Sequence, residues 1–281
     1  MRLLILGSSG LLGSDLVLEC RDTNVIPATS RDADIRDLAQ VRKLVGNARP
    51  DWIVLAAAFT DVDACERESE HAFAVNRDGA NNVAIAAREA GAKLVYISTD
   101  YVFDGTATEP YEVDALVHPL SIYGASKAAG ELAVQEQAGH WLIARTSWLF
   151  GASRSCFPDK ILRVAETQAE LRVVNDQIGS PTYTKDLARA LHKLIRMDAR
   201  GIVHIANAGC CSWFDFAQEI LRKAGKTTPI FPISTAEAHR AAKRPGYSVL
   251  SPAALQVYGL SLPSWQDALD RYLSGLRDLR S

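Results

Sequence analysis

Tyr123 and Lys127 are the two side chains of this sequence whose types and spacing suit proton-transfer chemistry. On a helix, residues four positions apart lie on the same face, one turn from each other. An ammonium group beside a phenol favours the phenolate, so we expect Lys127 to lower the pKa of Tyr123 towards the range of a general acid. The pair alone is a weak signal, because both residue types are common on exposed helices. Other residues must point to the same site.

A glycine-rich turn, Gly7-Ser-Ser-Gly10-Leu-Leu-Gly13, directly follows the first apolar run, Leu3 to Leu6. Small residues in such a turn let the backbone approach a pyrophosphate, and the N-terminus of the next helix offers amide donors and a favourable dipole. The spacing is G-x-x-G-x-x-G rather than the G-x-G-x-x-G of many dehydrogenases. Its place between the first strand and the first helix predicts a dinucleotide-binding turn.

The end of the second predicted strand carries a signal for the choice of cofactor. Where an NAD-specific protein often has an acidic residue for the ribose diol, this chain has Ala28-Thr29-Ser30 followed by Arg31. A guanidinium group at this place suits a 2′-phosphate, so we expect NADPH as the cofactor, with NADH left open. Asp34 and Ile35 follow shortly after and would frame the adenine ring.

The elements that must hold these residues alternate between strands and helices through the first half of the chain. We predict strands at residues 3–6, 25–28, 52–57, 93–98 and 141–145, and helices at 11–20, 38–45, 72–90 and 125–137. Continuous apolar strands separated by helices indicate a parallel sheet that is covered on both faces. The predicted fold class is therefore α/β, a Rossmann-type doubly wound parallel sheet with a smaller α/β substrate-binding lobe.

The second half of the chain is less regular. Beyond Gly151, glycine and proline are more frequent, and the predicted helices at 214–224 and 265–276 are shorter. We expect an NAD(P)-binding Rossmann domain over residues 1–150, completed by parts of 170–205. The substrate-binding lobe would lie mainly in residues 151–281.

Composition and charge argue against several classes of protein. The chain has 281 residues and a formal net charge of −2 with no basic block, so we expect no nucleic-acid partner. Its apolar runs are far shorter than the roughly 20 residues that cross a bilayer, so we expect no membrane partner and a cytoplasmic location. The five cysteines and six histidines lack the spacing of a metal site, so we expect reduced thiols and no metal.

Four further segments, in order with Thr99, Tyr123 and Lys127, make the sequence similar to a known family. They are Ser98-Thr-Asp-Tyr-Val-Phe-Asp-Gly105, Arg145-Thr-Ser-Trp148, Asn175-Asp-Gln-Ile-Gly-Ser-Pro-Thr-Tyr183, and Arg244-Pro245 followed by Ser248-Val-Leu. In them the chain resembles the dTDP-4-dehydrorhamnose reductases of the extended short-chain dehydrogenase/reductase superfamily, over nearly its whole length. One departure is Ser155 to Asp159, where the family usually has Asn-Phe-Val and where we expect Pro158 to reshape the substrate lobe.

The resemblance implies a set of site residues. Thr99, Tyr123 and Lys127 would be the catalytic residues. The residues that would hold the cofactor, together with Tyr123 and Lys127, are Gly7, Ser9, Gly10, Leu11, Leu12, Gly13, Arg31, Asp34, Ile35, Ala56, Ala57, Ala58 and Asn76. Those that would face the sugar nucleotide are Thr99, Asp100, Trp148, Asn175 and Gln177.

The resemblance also implies an activity. It is the NADPH-dependent reduction of the C4 keto group of dTDP-4-dehydro-β-L-rhamnose to dTDP-L-rhamnose, in the biosynthesis of cell-surface polysaccharide. Tyr123 would donate a proton to the substrate oxygen and Thr99 would donate a hydrogen bond to it. Lys127 would keep Tyr123 acidic and hold the nicotinamide ribose. The expected partner is a dTDP-sugar, and a homodimer is left open.

Several alternatives come with this resemblance. Dehydratases of the superfamily carry an Asp-Glu pair after the threonine, whereas here Asp100-Tyr101 follows Thr99, which argues against water elimination. A 4-epimerase or another nucleotide-sugar reductase would use the same tyrosine and lysine. A non-catalytic NADP-binding protein, similar to the regulatory subunit of methionine adenosyltransferase, would share the fold. The retention of all three catalytic residues together with Trp148 favours an enzyme.

Overall fold

Strands and helices alternate along the chain in a computed structural model, which describes residues 1–278. The strands are β1 (Arg2–Leu6), β2 (Asn24–Ala28), β3 (Trp52–Leu55), β4 (Lys93–Thr99), β5 (Trp141–Thr146), β6 (Leu149–Phe150), β7 (Leu171–Val174), β8 (Ile178–Gly179), β9 (Thr182–Tyr183), β10 (Gly201–His204), β11 (Cys211–Ser212) and β12 (Ile230–Ile233). The helices are α1 (Leu11–Glu19), α2 (Leu38–Ala48), α3 (Val62–Arg67), α4 (Ser69–Phe73), α5 (Gly79–Glu89), α6 (Ile122–Gln137), α7 (Phe157–Thr167), α8 (Thr184–Arg196), α9 (Trp213–Lys223), α10 (Ala253–Gln256) and α11 (Trp265–Asp278). None of the helices in residues 1–278 combines the length and the apolar character that a membrane-spanning helix needs.

Six of the strands form one parallel sheet in the order β2-β1-β3-β4-β5-β10. Helices α1 and α8 pack their apolar side chains on one face of the sheet, and α2, α5 and α6 pack on the other. Ile53 and Val54 of the central strand β3 are both fully buried, one on each face. Continuous apolar strands are what a sheet covered on both faces requires. The predicted Rossmann-type fold class is confirmed.

The strand order reverses between β1 and β3, which leaves a crevice at the carboxyl ends of the strands. Gly7 and Ala56 directly follow β1 and β3, and Thr99 ends β4. Trp148 comes shortly after β5. In open α/β sheets, ligands bind outside the carboxyl ends of the strands at such a point. The predicted site residues therefore gather along the edge of the sheet that this fold uses for binding.

Residues beyond β5 contribute to both halves of the molecule. Helix α8 packs on α1, and β10 joins the sheet beside β5. Helices α7, α9 and α11 enclose a second core with Phe150, Phe216 and Tyr272, edged by the short strand pairs β6–β9, β7–β12 and β8–β11. The predicted domain division at residue 150 stays a proposal. Residues 279–281, at the end of the expected substrate lobe, lie outside the described part of the chain.

One local prediction differs from the structure, and the structure gives the local setting of Pro158. The helix predicted over 72–90 is not regular, because residues 74–78 form a π-helical turn between α4 and α5. Such wider turns often occur at functional sites, and this one carries Asn76, which is 1% exposed. Pro158 lies in the first turn of α7, where the N–H that it lacks would have no helical partner. The proline therefore lies at the start of a helix, and its expected effect on the substrate lobe stays a prediction.

Candidate active site

Helix α6 carries Tyr123 and Lys127 on one face, as their spacing predicts. Ser121 caps the start of the helix, where its hydroxyl accepts a hydrogen bond from the N–H of Gly124. Gly124 also allows a close approach, because a Cβ at this position would lie 2.2 Å from the carbonyl oxygen of Tyr101. The cap and the glycine together place the first turn of α6, and with it Tyr123, against the end of β4.

The hydroxyl groups of Tyr123 and Thr99 lie beside each other at the carboxyl edge of the sheet. Burial raises the pKa of Tyr123, the hydroxyl group of Thr99 opposes that rise, and the negative charge of Asp100 adds to it. The prediction that Lys127 lowers the pKa of Tyr123 is therefore wrong. The free-energy cost of burying a phenolate sets the direction of the pKa shift of Tyr123. The neighbouring Thr99 opposes that shift.

The side chain of Lys127 is only 2% exposed, and its ammonium group lies 4.0 Å from the centre of the Tyr96 ring. Burial lowers the pKa of Lys127 to about 7, whereas the negative charge of Glu131, one turn further along α6, opposes this shift. Within residues 1–278, no carboxylate or carbonyl oxygen accepts a hydrogen bond from the ammonium group. Its donors are therefore available to a bound molecule.

A buried ion pair anchors α6 to the sheet next to Lys127. Arg145 of β5 donates hydrogen bonds of 2.9 and 2.7 Å to the two carboxylate oxygens of Glu131. Ser98 of β4 donates a third, of 2.5 Å, to the same carboxylate. Both charged side chains are 3% exposed. Such a pair tolerates burial because its charges are matched and hydrogen-bonded, and here it ties the helix that carries Tyr123 and Lys127 to β4 and β5.

The glycine turn has a backbone that only small residues permit. Gly7 has a φ of +87°, in the region that favours glycine, and a Cβ there would lie 2.6 Å from the backbone nitrogen of Ala57. A Cβ on Gly13 would lie 2.1 Å from the carbonyl oxygen of Gly7. Gly10 is the N-cap residue of α1 and has no side chain that could cap the helix. The first N–H groups of α1 are therefore not capped by a side chain. This geometry fits a pyrophosphate.

Arg31 and Asp34 both follow β2, but only one of them has an unengaged side chain. Arg31 is exposed, and its guanidinium group pairs with no carboxylate in the described chain. Asp34 binds Arg36 through hydrogen bonds of 2.9 and 2.6 Å, and these bonds lower the pKa of Asp34. Ile35 is buried against Gly79, where an added Cβ would come within 2.7 Å of the isoleucine. Of Arg31 and Arg36, Arg31 is thus the one whose guanidinium group is not held by a carboxylate of residues 1–278.

Residues 56–58, predicted to contact the cofactor, follow β3 in a segment that Asn76 holds in place. The side-chain oxygen of Asn76 accepts a hydrogen bond of 2.9 Å from the N–H of Phe59. Its amide group donates to the Phe59 carbonyl and to Ser126 of α6, both at 3.0 Å. Both amide hydrogens of Asn76 are therefore used within the protein. Asn76 links the loop after β3 to the helix that carries Tyr123.

A cleft of about 920 Å³ opens between α3 and the second half of the molecule. Among the residues that line it are four basic side chains, Lys160, Arg172, Arg240 and Arg244, and two aromatic ones, Phe157 and Trp213. Arg244 lines the cleft, donates a hydrogen bond of 2.9 Å to Asp63 and lies beside the phenol of Tyr101. The ring of Tyr101 packs edge-on against Tyr123, with 5.9 Å between their centres.

Trp148, predicted to face the sugar, stacks on a second indole. Its ring and that of Trp213 have centres 3.6 Å apart and planes within 7° of parallel. Gly179 packs tightly against Trp148, since a Cβ there would lie 2.5 Å from the indole carbon Cε2. Trp148 also has a φ of +47°, which is uncommon for a bulky residue and needs firm support from its neighbours. Trp213 is the indole of this stack that lines the cleft.

Gln177 and Asn175 lie on the same segment but in different surroundings. Gln177 is 5% exposed, lines the cleft, and donates a hydrogen bond of 2.9 Å to Thr235. Asn175 is exposed, and its side-chain oxygen accepts a hydrogen bond of 2.8 Å from Ser212 at the start of α9. The structure therefore brings Gln177 to the cleft, whereas the side chain of Asn175 supports the start of a helix.

Asp100, also predicted to face the substrate, is buried with 2% of its surface exposed. One carboxylate oxygen accepts a hydrogen bond of 2.6 Å from Ser248, and the other accepts one of 3.0 Å from Thr99. Burial raises the pKa of Asp100 to about 7. Its carboxyl group thus contacts Thr99 directly.

A separate cavity of about 1040 Å³ lies at the opposite edge of the sheet, by the amino ends of the strands. Met1, Trp52 and Lys93 are among the residues that line it. In open α/β sheets the binding edge is the carboxyl one. The candidate active site therefore lies at the carboxyl edge, where Tyr123, Thr99 and the glycine turn are found.

Comparison with known proteins agrees with this geometry. Residues 1–277 match a family model described as the RmlD substrate binding domain. The chain belongs to the dTDP-4-dehydrorhamnose reductase family. Its members include the dTDP-4-dehydrorhamnose reductase of Burkholderia thailandensis, which is 37% identical over 302 aligned residues that cover 100% of both chains.

Two more proteins extend the comparison with this reductase family. The spore coat polysaccharide biosynthesis protein SpsK of Bacillus subtilis is 43% identical, over 97% of this chain and 96% of its own length. A crystal structure of dTDP-4-dehydrorhamnose reductase from Bacillus anthracis, in complex with NADP, superposes with a TM-score of 0.95 at 42% identity. The match covers 98% of this chain and 99% of that one. The resemblance found in the sequence motifs is confirmed.

Three residues of this reductase-family site were missed by sequence reasoning. Glu131 stands one further turn after Lys127, so its spacing was a usable signal. Ser248 was noticed only as part of a family segment, and its bond to Asp100 joins distant parts of the chain. Trp213 follows the capping residue of α9, but nothing local indicates that it stacks on Trp148.

Proposed function

We propose that this protein reduces the C4 keto group of dTDP-4-dehydro-β-L-rhamnose with NADPH, releasing dTDP-L-rhamnose and NADP⁺. The observation that carries the proposal is the placement of Tyr123 beside Thr99, at the carboxyl edge of the sheet and one helical turn from the buried Lys127. Membership of the reductase family and the likeness to an NADP-bound structure support the same reaction and cofactor. The crowded glycine turn fits a bound dinucleotide.

The catalytic residues divide the work of reduction among them. NADPH, when bound, supplies the hydride that the C4 carbon accepts. We assign to Tyr123 the donation of a proton to the C4 oxygen as negative charge develops there. The raised pKa of Tyr123 keeps the phenol protonated at neutral pH, which is the state that a reduction needs. Lys127, whose ammonium group has no protein acceptor in residues 1–278, holds the ribose hydroxyl groups of the cofactor.

The basic residues of the cleft support a nucleotide-diphosphate substrate. Arg240 and Arg244 lie on one side of the cleft, next to Asp63, and Lys160 and Arg172 also line it. One guanidinium group can bind two phosphate oxygens at once through parallel N–H groups. This lining therefore suits the diphosphate of a dTDP-sugar. The indole of Trp213, backed by Trp148, offers a flat apolar surface for a ring.

The rival activities make different demands on the site. The acid–base pair that a dehydratase needs is missing from this site. The carboxyl group of Asp100 is hydrogen-bonded to Ser248, and the next residue is Tyr101. A 4-epimerase would leave the amount of reduced cofactor unchanged over a full turnover. A regulatory subunit would bind the cofactor without turnover.

Incubating the protein with NADPH and dTDP-4-dehydrorhamnose tests the proposal. We expect the NADPH absorbance to fall by one equivalent per equivalent of sugar, and the product to have the configuration of L-rhamnose by NMR. Tight NADP binding without any consumption of NADPH would favour a regulatory subunit and overturn the proposal. Interconversion of dTDP-sugars without net oxidation of NADPH would favour an epimerase and overturn it as well.

Three further expectations belong to this proposal. We place the reaction in the cytoplasm, which the five unpaired cysteine thiols support. We assign cofactor binding to residues 1–150 with parts of 170–205, and substrate binding mainly to residues 151–281; limited proteolysis with and without NADP tests this division. A homodimer is tested by light scattering in solution.

A further inference from the structure

The hydroxyl group of Thr99 has three neighbours that compete for it. It accepts a hydrogen bond of 3.2 Å from the N–H of Tyr101, donates one of 3.0 Å to Oδ1 of Asp100, and lies beside the hydroxyl group of Tyr123. A threonine hydroxyl has one hydrogen and two lone pairs. An ionised Asp100 can only accept, so it takes the single hydrogen of Thr99. Thr99 then has no hydrogen left for a substrate oxygen.

A protonated Asp100 reverses this arrangement. In this arrangement Ser248, whose hydroxyl oxygen lies 2.6 Å from Oδ2, donates to that oxygen, and Oδ1, on the Thr99 side, carries the proton. Oδ1 then donates to Thr99, whose own hydrogen is free to turn towards Tyr123 and the substrate oxygen. The 3.0 Å distance suits both states, because a hydrogen bond between two oxygens can run in either direction.

The surroundings of Asp100 favour the protonated form. Asp100 is 2% exposed and Ser248 1%, and burial raises the pKa of Asp100 to about 7 although both of its side-chain hydrogen bonds oppose the rise. The titratable groups that face it are Tyr101, its neighbour in the chain, and Tyr123 from α6. Arg244 reaches Tyr101 and Asp63, and no cation in residues 1–278 pairs with Asp100.

We propose that Asp100 is a positioning residue, whose protonated carboxyl group makes the Thr99 hydroxyl a donor to the C4 oxygen of the substrate. This inference rests on the reductase function proposed above. No covalent bond changes at Asp100 and its proton is not consumed, so the overall reaction is unaltered. Since Ser248 lies in the segment that follows Arg244, the second half of the molecule fixes the carboxyl group that orients the catalytic threonine.

Asp100→Asn tests the proposal, because the amide nitrogen can give Thr99 the same hydrogen bond at every pH while the amide oxygen accepts from Ser248. The ratio of kcat between the variant and the wild type, measured from about pH 6 to about pH 9, cancels every ionisation that both proteins share, including that of Lys127. We expect the variant to turn over, and the ratio to rise at least about tenfold across this range as Asp100 ionises in the wild type. A flat ratio, or a variant without measurable turnover, would overturn the proposal.

Two controls separate this role from a merely structural one. Asp104→Asn makes the same chemical change on a carboxyl group whose pKa is lowered by hydrogen bonds from Thr106 and Tyr111, so its ratio should stay flat. In a Thr99→Val background, Asp100→Asn should also give a flat ratio, because no hydroxyl group is left to orient. A ratio that still rises there would show that Asp100 acts by another route and would overturn the proposal.

A measurement without turnover separates failure of this inference from failure of the proposed function. If the wild type does not oxidise NADPH with the sugar, it is the reductase function that fails. NMR of the protein labelled with ¹³C at the aspartate carboxyls then tests Asp100 alone. The signal that Asp100→Asn removes should titrate with a midpoint near pH 7 and shift in Thr99→Val. A midpoint below about pH 5, close to the ordinary range of aspartate, would overturn the inference.

Discussion

The ammonium group of Lys127 lies 4.0 Å from the centre of the Tyr96 ring, in the interior of the protein. A ring face attracts a cation but does not replace the water that the cation has lost. Burial therefore lowers the pKa of Lys127 to about 7, even with Glu131 one turn away. The buried ammonium group therefore lowers the stability of the folded protein, while its N–H groups stay available to a ligand.

This cost predicts a gain in stability when the amine is removed. The pKa of Lys127 is about 7 in the folded protein and about 10.4 in an unfolded chain. The unfolded state therefore binds the proton more tightly, so the destabilisation is complete below about pH 7 and fades towards about pH 10. Lys127→Met should raise the Tm of the cofactor-free protein most at neutral pH and below, while turnover is lost.

The control for this measurement is Lys43→Met, on an exposed position of α2. We expect this change to shift the Tm little and equally at every pH. A gain at Lys127 that did not shrink as the pH rises, or a Tm that fell, would show that the buried amine does not carry the cost described.

The choice between NADPH and NADH should depend on Arg31. Its guanidinium group has no carboxylate partner in residues 1–278, whereas that of Arg36 is bound to Asp34. Arg31→Ala should raise the Kd for NADPH and leave the Kd for NADH nearly unchanged, because only NADPH carries the 2′-phosphate. Arg36→Ala is the matched control and should change the NADPH to NADH ratio less. Titration of both variants with both cofactors checks this, and an equal loss for the two cofactors at Arg31 would contradict it.

Gly179 should control substrate binding through Trp148. A Cβ at Gly179 would lie 2.5 Å from the indole carbon Cε2, so Gly179→Ala must displace the Trp148–Trp213 stack. We expect a higher KM for the nucleotide sugar and an unchanged Kd for NADPH, because the glycine turn lies on another part of the edge. Gly139→Ala, where no atom lies within 4 Å of the added carbon, is the control and should leave both values as they are. A KM that stays at the wild-type value in Gly179→Ala would remove Trp148 and Trp213 from the substrate site.

The order of the elements and the glycine turn could be predicted because their signals are local. Apolar runs mark the buried strands, and the positive φ of Gly7 and the contact of Gly13 with Gly7 arise within the turn itself. The same holds for Tyr123 and Lys127, which share a helix face through their spacing alone.

The direction of the Tyr123 pKa could not be read in the same way. It depends on how many elements cover the phenol, and that follows from the packing of the whole molecule. The bond between Asp100 and Ser248 and the stack of Trp148 on Trp213 join residues far apart in the chain. No periodicity or local motif encodes such contacts, so the family segments indicated the regions and the structure showed the pairs.

The proposed reduction depends most on Tyr123. Its hydroxyl group lies beside Thr99 and is proposed to donate the proton that completes the reduction. Tyr123→Phe keeps the ring and removes only this group, so the packing against Tyr101 should survive. Tyr258→Phe, whose hydroxyl bonds to the Arg200 carbonyl far from the cleft, is the matched control.

The most direct measurement follows the NADPH absorbance after dTDP-4-dehydrorhamnose is added to the wild type and to Tyr123→Phe side by side. We predict that the wild type oxidises NADPH. Turnover by Tyr123→Phe should be slower by roughly 10²–10⁴-fold, with a nearly unchanged Kd for NADPH. A wild type that consumes no NADPH, or a Tyr123→Phe variant that keeps more than about a tenth of the wild-type rate, would contradict the proposed reduction with Tyr123 as proton donor.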